Sequence, residues 1–244
     1  MRQLCVSLLC VVFLTSVNSA VAEVDDRPLL VFSGIENSGN TVVGERVMRE
    51  AYRRIGYRIR IDYYSASRAL TVSSSGEVDG ELGRIRGIDR VYENLVMVDT
   101  PMNRMEAMVF SIRHNFTVNG WPSLSPYVIG IQLGVKYAEQ RTAAMQRVLA
   151  NNNDQLIGLL IAGRVDLILM TRTSSMLALK DHPDVDLNRL EPPVDQYELF
   201  HYLHKKNEHL KPLINQALQQ MEQEGVIEKI RQDYLEELKN VKWL

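Results

Sequence analysis

Cysteine is nearly absent from this sequence, and where it falls matters more than how little there is. Cys5 and Cys10 are the only two, both near the N-terminus, so the rest of the chain can form neither a disulfide nor a thiolate metal site. An excess of charge of one sign is missing as well: 28 Lys and Arg stand against 30 Asp and Glu, a formal net charge of -2. That balance argues against a nucleic-acid surface built on clustered cations. Beyond the N-terminal segment no apolar run approaches the roughly 20 residues that a spanning helix needs. No repeat, low-complexity tract or long charge run is found either. A small-molecule partner fits this composition better than a polymer.

What is present begins with a leader. Arg2 supplies a positive charge, residues 4–14 are almost continuously apolar, and Ala20-Val21-Ala22 offers the small-x-small pattern that signal peptidase accepts. Asn18 and Ser19 end the apolar stretch too early for an anchor, and Cys10 follows the bulky Leu9 where lipid attachment wants a small residue. Residues 1–22 are therefore expected to be cleaved, delivering a lipid-free protein to the periplasm. About 220 residues remain, enough for one large domain or two small ones with their own cores.

Short strand-like runs then alternate with helical ones. Residues 29–32 form an apolar strand, and Val43, Val47, Ala51 and Ile55 share one face of a helix over 41–55 that Gly56 stops. Ile59, Ile61 and Tyr63 alternate with Arg58, Arg60 and Asp62 as in a half-buried strand over 57–63. A short helix at 68–74 and a strand at 78–82 complete a βαβαβ order, which implies a parallel sheet covered by helices, with ligands beyond the carboxyl ends of its strands. A second unit of the same kind follows the apolar run 107–112. It has a strand at 127–131, a helix at 137–150, a capped helix at 155–162 after the break at Asn151-Asn152-Asn153-Asp154, and a strand at 166–170. Residues 196–204 are expected to be extended, and helices at 210–224 and 226–238, parted by Gly225, end the chain. Two α/β lobes are the predicted outcome.

Five segments in order resemble the bacterial extracellular solute-binding proteins of the polar amino-acid type. They are Ser75-Gly76-Glu77-Val78-Asp79-Gly80; Val98-Asp99-Thr100-Pro101-Met102; Gly130-Ile131-Gln132-Leu133-Gly134; Leu160-Ile161-Ala162-Gly163-Arg164-Val165-Asp166; and the run from Lys206 through Asn215-Gln216-Ala217-Leu218 to Ile230. The resemblance covers nearly all of the chain after the leader and implies the two-lobed type II periplasmic binding fold. Lobe 1 would comprise residues 23–110 and 203–244, and lobe 2 residues 111–202. Crossings between them would fall near 109–113 and 197–202, with a hinge closing the lobes over a ligand. It further implies a monomeric binder without catalysis or cofactor, serving a membrane permease of the ABC-transporter kind or a sensor receptor. The alternatives are an exported dehydratase-like enzyme on the same fold and a protein that presents its ligand to a membrane sensor.

The expected ligand contacts follow from chemistry and from the resemblance. An arginine fork can hold a carboxylate by two parallel charge-assisted bonds. Arg84, at the carboxyl end of a lobe-1 strand, and Arg90, one residue short of the family's anion-clamping arginine, are the candidates. Glu81 is placed to face the same cleft, and Glu36 and Asn37 lie in the Gly- and Asn-rich loop 33–40 at its edge. Lys136 opens a helix, where its charge opposes the dipole unless an anion stands beside it. Thr171 occupies the position at which amino-acid binders of the family carry an aspartate for the ammonium. It can hydrogen-bond but cannot neutralise a charge, which leaves a carboxylate, another anion or a neutral polar solute open. His201 and His204, three apart on a strand, are expected on opposite faces, against a metal site. Met102, Met105 and Met108 are expected in the core.

Overall fold

A computed structural model describes residues 26–239. The predicted leader, Cys5 and Cys10 lie outside the described residues. The first half of the fold opens with β1 (Leu29–Ile35), α1 (Gly39–Arg54), β2 (Arg58–Tyr64), α2 (Ala66–Ser75), β3 (Gly80–Arg84) and β4 (Leu95–Met97). The second half holds β5 (Asn103–Ser111), β6 (Ile129–Gln132), α3 (Lys136–Arg141), β7 (Arg147–Ala150), α4 (Asn153–Ile161), β8 (Leu167–Thr171) and α5 (Arg172–Ala178). A 17-residue strand, β9 (Asn188–His204), leads back to α6 (Lys211–Gln223) and α7 (Val226–Leu238).

One sheet runs through both halves in the order β2-β1-β3-β9-β5-β8-β6-β7, with β4 paired to β9 off this path. β1 is parallel to β2 and β3, and β6 is parallel to β7 and β8, so each half carries the expected parallel core. β9 joins them. Its first part pairs antiparallel with β5 up to Leu199, and its last part with β3 and β4 from Phe200 onward. The chain therefore returns between halves at Leu199 and Phe200, within the expected 197–202. It leaves the first half ahead of the expected 109–113, because Ala107 to Phe110 already pair with β8.

Local sequence explains most elements. α1 buries Val43, Val47, Met48, Ala51 and Tyr52, the i, i+4 stripe of a helix lying on a sheet. α2 stops at Gly76, whose φ of 82° is the left-handed conformation open to glycine at little cost. The Asn152 side chain caps α4 by accepting from the Gln155 amide at 2.9 Å.

One expectation fails. The helix expected over 137–150 ends at Arg141, and Arg147–Ala150 form the edge strand β7. Thr142 is buried and turns its hydroxyl back onto the Ala138 carbonyl at 2.7 Å, while the backbone of 147–150 pairs with β6. Sheet pairing here overrides the helix-favouring composition of Ala143, Ala144 and Met145. The histidines part as expected: His201 is fully buried, with Nε2 2.9 Å from the Tyr52 hydroxyl and Nδ1 3.1 Å from the Leu82 carbonyl, whereas His204 is partly exposed. Burial pushes the His201 imidazole down to about 4, so it stays neutral. Met102, Met105 and Met108 are all buried.

Candidate functional site

The carboxyl ends of β1 and β3 face those of β6 and β8 across a cavity of about 80 Å³ to which both halves contribute walls. That is several times the roughly 10–15 Å³ that one water requires. Four of the residues singled out in the sequence line it: Glu81, Arg84, Lys136 and Thr171. Arg90, Glu36 and Asn37 do not. Arg90 is exposed on a short turn, Ile88–Arg90. Glu36 and Asn37 sit on the β1–α1 turn, and what Asn37 supplies is its backbone carbonyl, which accepts from Asn153 Nδ2 at 3.1 Å.

Glu81 and Arg84 are three residues apart on β3, a spacing that in a regular strand sends side chains to opposite faces. A register shift against β9 between Glu81 and Arg84 inserts an extra residue and turns both to the same side. The result is a buried ion pair, Arg84 Nε to Glu81 Oε1 at 2.8 Å, with side chains 5% and 0% exposed. Arg84 also donates from Nη2 to the Ala66 carbonyl at 2.7 Å and, across to the second half, from Nη1 to the Gly134 carbonyl at 3.2 Å. Glu81 Oε2 accepts from the Ser33 hydroxyl at 2.7 Å. Burial pushes the Glu81 carboxyl above its ordinary range, with Arg84 and Ser33 pulling part of the way back. The arginine expected as a free carboxylate fork is thus already engaged by a carboxylate of its own chain.

Lys136 finds its anion locally. Its ammonium is 2.7 Å from Glu139 Oε2, and Glu139 Oε1 accepts from the Gly134 amide at 2.6 Å. Burial raises the Glu139 carboxyl, but Lys136 and the Gly134 amide outweigh it and hold the group below its usual range. Thr171 serves as N-cap of α5, its Oγ1 accepting from the Ser174 amide at 3.3 Å and donating to Ser174 Oγ at 2.9 Å.

Residues the sequence reading passed over complete the wall. Asn40, at the start of α1, donates from Nδ2 to Thr171 Oγ1 at 2.9 Å and accepts from the Thr173 hydroxyl at 3.0 Å, bridging the halves. Gln132 donates to the Asn151 carbonyl at 3.3 Å and keeps its amide oxygen unpaired among the described residues. Tyr137 is 3% exposed and packs 5.1 Å from the Tyr197 ring, and its hydroxyl has no hydrogen-bond partner among the described residues. Ile35, Leu82, Met102, Met105, Val135 and Leu169 make the remaining surface largely apolar. Gln132 lies inside the Gly130-to-Gly134 segment and Tyr137 follows Lys136, so their place at a strand-to-helix turn was the available signal.

No family model matches the chain. An uncharacterized protein of Shewanella oneidensis is 23% identical over 223 residues, covering 87% of this chain and 84% of that one. Among solved structures, a histidine kinase sensor domain with similarity to periplasmic binding proteins superposes with TM-score 0.70 and 17% identity, over 86% of this chain and 97% of its own. An arginine-bound amino-acid ABC transporter substrate-binding protein from Streptococcus pneumoniae gives TM-score 0.69 and 15% identity, over 86% and 95%. An ancestral amino-acid-binding protein, a precursor of cyclohexadienyl dehydratase, gives 0.65 and 14%, over 84% and 95%. The chain has the two-lobed fold of type II periplasmic binding proteins, far from these relatives in sequence.

Proposed function

We propose that this protein is an exported solute-binding protein that captures a small molecule between its two lobes and presents it to a membrane permease or sensor. The two lobes are the halves described above, which part ahead of β5 and rejoin between Leu199 and Phe200 in β9. The observation that carries the proposal is the cavity itself, walled by both halves and bridged by Asn40 to Thr171 and by Arg84 to Gly134. A site split in this way is completed only when the halves approach, so ligand and hinge closure stabilise one another. Binding is favoured over catalysis because Glu81, the one carboxyl group among the lining residues, spends its oxygens on Arg84 and Ser33 and is no free base.

A thermal-shift screen of amino acids, dicarboxylates, polyamines, amides and small sugars tests this. A ligand at about a hundred times its dissociation constant adds about 2.7 kcal/mol of stability. In a chain of this size that is a rise of roughly 5–10 °C in Tm. If no small solute raises Tm, the protein is not a solute binder. Export has its own check. The intact mass of the protein recovered from a periplasmic extract should begin near Glu23 and carry no lipid, and a mass that includes residues 1–22 would refute the leader.

A further inference from the structure

We propose that the ligand is a small uncharged solute with an apolar body and an amide-like hydrogen-bonding end, and that the site discriminates against free carboxylates and amino acids. The proposal rests on the solute-binding reading above and narrows it. Three ionisable side chains that carry charge at neutral pH line the cavity, Glu81, Arg84 and Lys136, and each is paired within the chain. Glu81 and Arg84 cancel one another, and Lys136 is cancelled by Glu139. An anion entering the cavity would have to compete with a resident carboxylate for each cation, and would bring its own desolvation cost with no uncompensated charge to offset it. An ammonium meets the same difficulty, since both oxygens of Glu81 are already engaged.

The unspent groups are neutral or donor-only. Among the described residues the Tyr137 and Thr41 hydroxyls and the Gln132 and Asn153 amide oxygens have no partners, and Arg84 Nη1 and Nη2 each keep a second N–H. Amide oxygens, hydroxyls and spare N–H donors together complement a group that both accepts and donates, which is the chemistry of a primary amide or urea. The apolar wall of Ile35, Leu82, Met102, Met105, Val135 and Leu169 fits a short hydrocarbon body.

The test holds the body constant and varies the head. Valeramide, valerate, pentylamine and norvaline are titrated calorimetrically into the full folded chain. Valeramide should bind at least about tenfold more tightly than the other three, the scale of one charge-assisted hydrogen bond. Valerate or norvaline binding as well as valeramide overturns the proposal. Failure of all four overturns it too, while a hit elsewhere in the broader screen leaves the solute-binding reading standing. Glu81→Gln removes the internal anion while keeping shape, and should raise valerate affinity about tenfold by leaving Arg84 uncompensated. Glu139→Gln does the same for Lys136 at a less buried position, in case the first variant does not fold. Unchanged valerate affinity in the variants that fold counts against the proposal.

Discussion

Arg84→Ala should lower the stability of the unliganded protein by about 3–5 kcal/mol, the cost of stripping the partner from a buried charge. At 2–4 °C per kcal/mol this is a fall of roughly 6–20 °C in Tm. Glu81 is fully buried and loses the guanidinium 2.8 Å away, and the Ala66 and Gly134 carbonyls lose a donor each. The deficit should depend on pH. With Arg84 gone, the carboxyl already pushed up by burial moves higher still. A group whose folded pKa lies above its unfolded value lends stability at pH below the unfolded value, and that stability is lost as pH rises through the folded value. The gap between variant and parent is therefore smallest near pH 4 and widens toward neutrality. The double variant Glu81→Leu/Arg84→Met should recover much of the loss, because replacing a buried pair with apolar groups of similar volume is often neutral. Denaturant unfolding across pH decides the matter. A single variant within about 1 kcal/mol of the parent at pH 7 would show that the pair is not buried in solution.

Arg84 was legible as a cleft residue because it ends a strand that follows a helix. Its commitment was not, since Glu81 three residues away belongs on the opposite face of a regular strand. Only the irregular pairing of β3 with β9 brings them together, and β9 is more than a hundred residues away in sequence. The same limit explains the missed strand β7, whose identity depends on its pairing with β6 rather than on its own composition. Elements whose pattern is self-contained, such as α1 with its i, i+4 stripe and α7 after Gly225, were read nearly to their ends. Lys136 lies between these cases: its need for a nearby anion followed from the helix dipole, but the anion is Glu139, one turn along the same helix, rather than a ligand. Asn40 carried no local signal, because its partners Thr171 and Thr173 lie in the other half.

Gly39→Ala should weaken ligand binding roughly 5- to 150-fold while leaving the unliganded protein folded. Gly39 begins α1 in the first half, and a Cβ there would stand 2.6 Å from the carbonyl carbon and oxygen of Thr173 in the second. Those are backbone atoms that cannot swing aside, so the two halves must stay apart, at a cost of about 1–3 kcal/mol if they are forced together. The expected loss is that cost expressed as a binding ratio. Gly39 is not among the positive-φ glycines, so alanine adds no backbone strain and, at a helix start, slightly favours α1. Gly134 makes an equally close approach, its Cβ position lying 2.3 Å from the Ser67 amide nitrogen, but its φ of 84° would add strain to any substitution and blur the result. Gly39 isolates closure from folding for that reason. Calorimetric titration of the parent and the variant with the best ligand from the screen gives the affinity ratio, and small-angle scattering with and without ligand gives the change in radius. The parent should contract on binding and the variant should contract less. A variant that binds and contracts as the parent does would mean that the halves do not meet at Gly39 in the liganded state, and that the cavity is closed by some other contact.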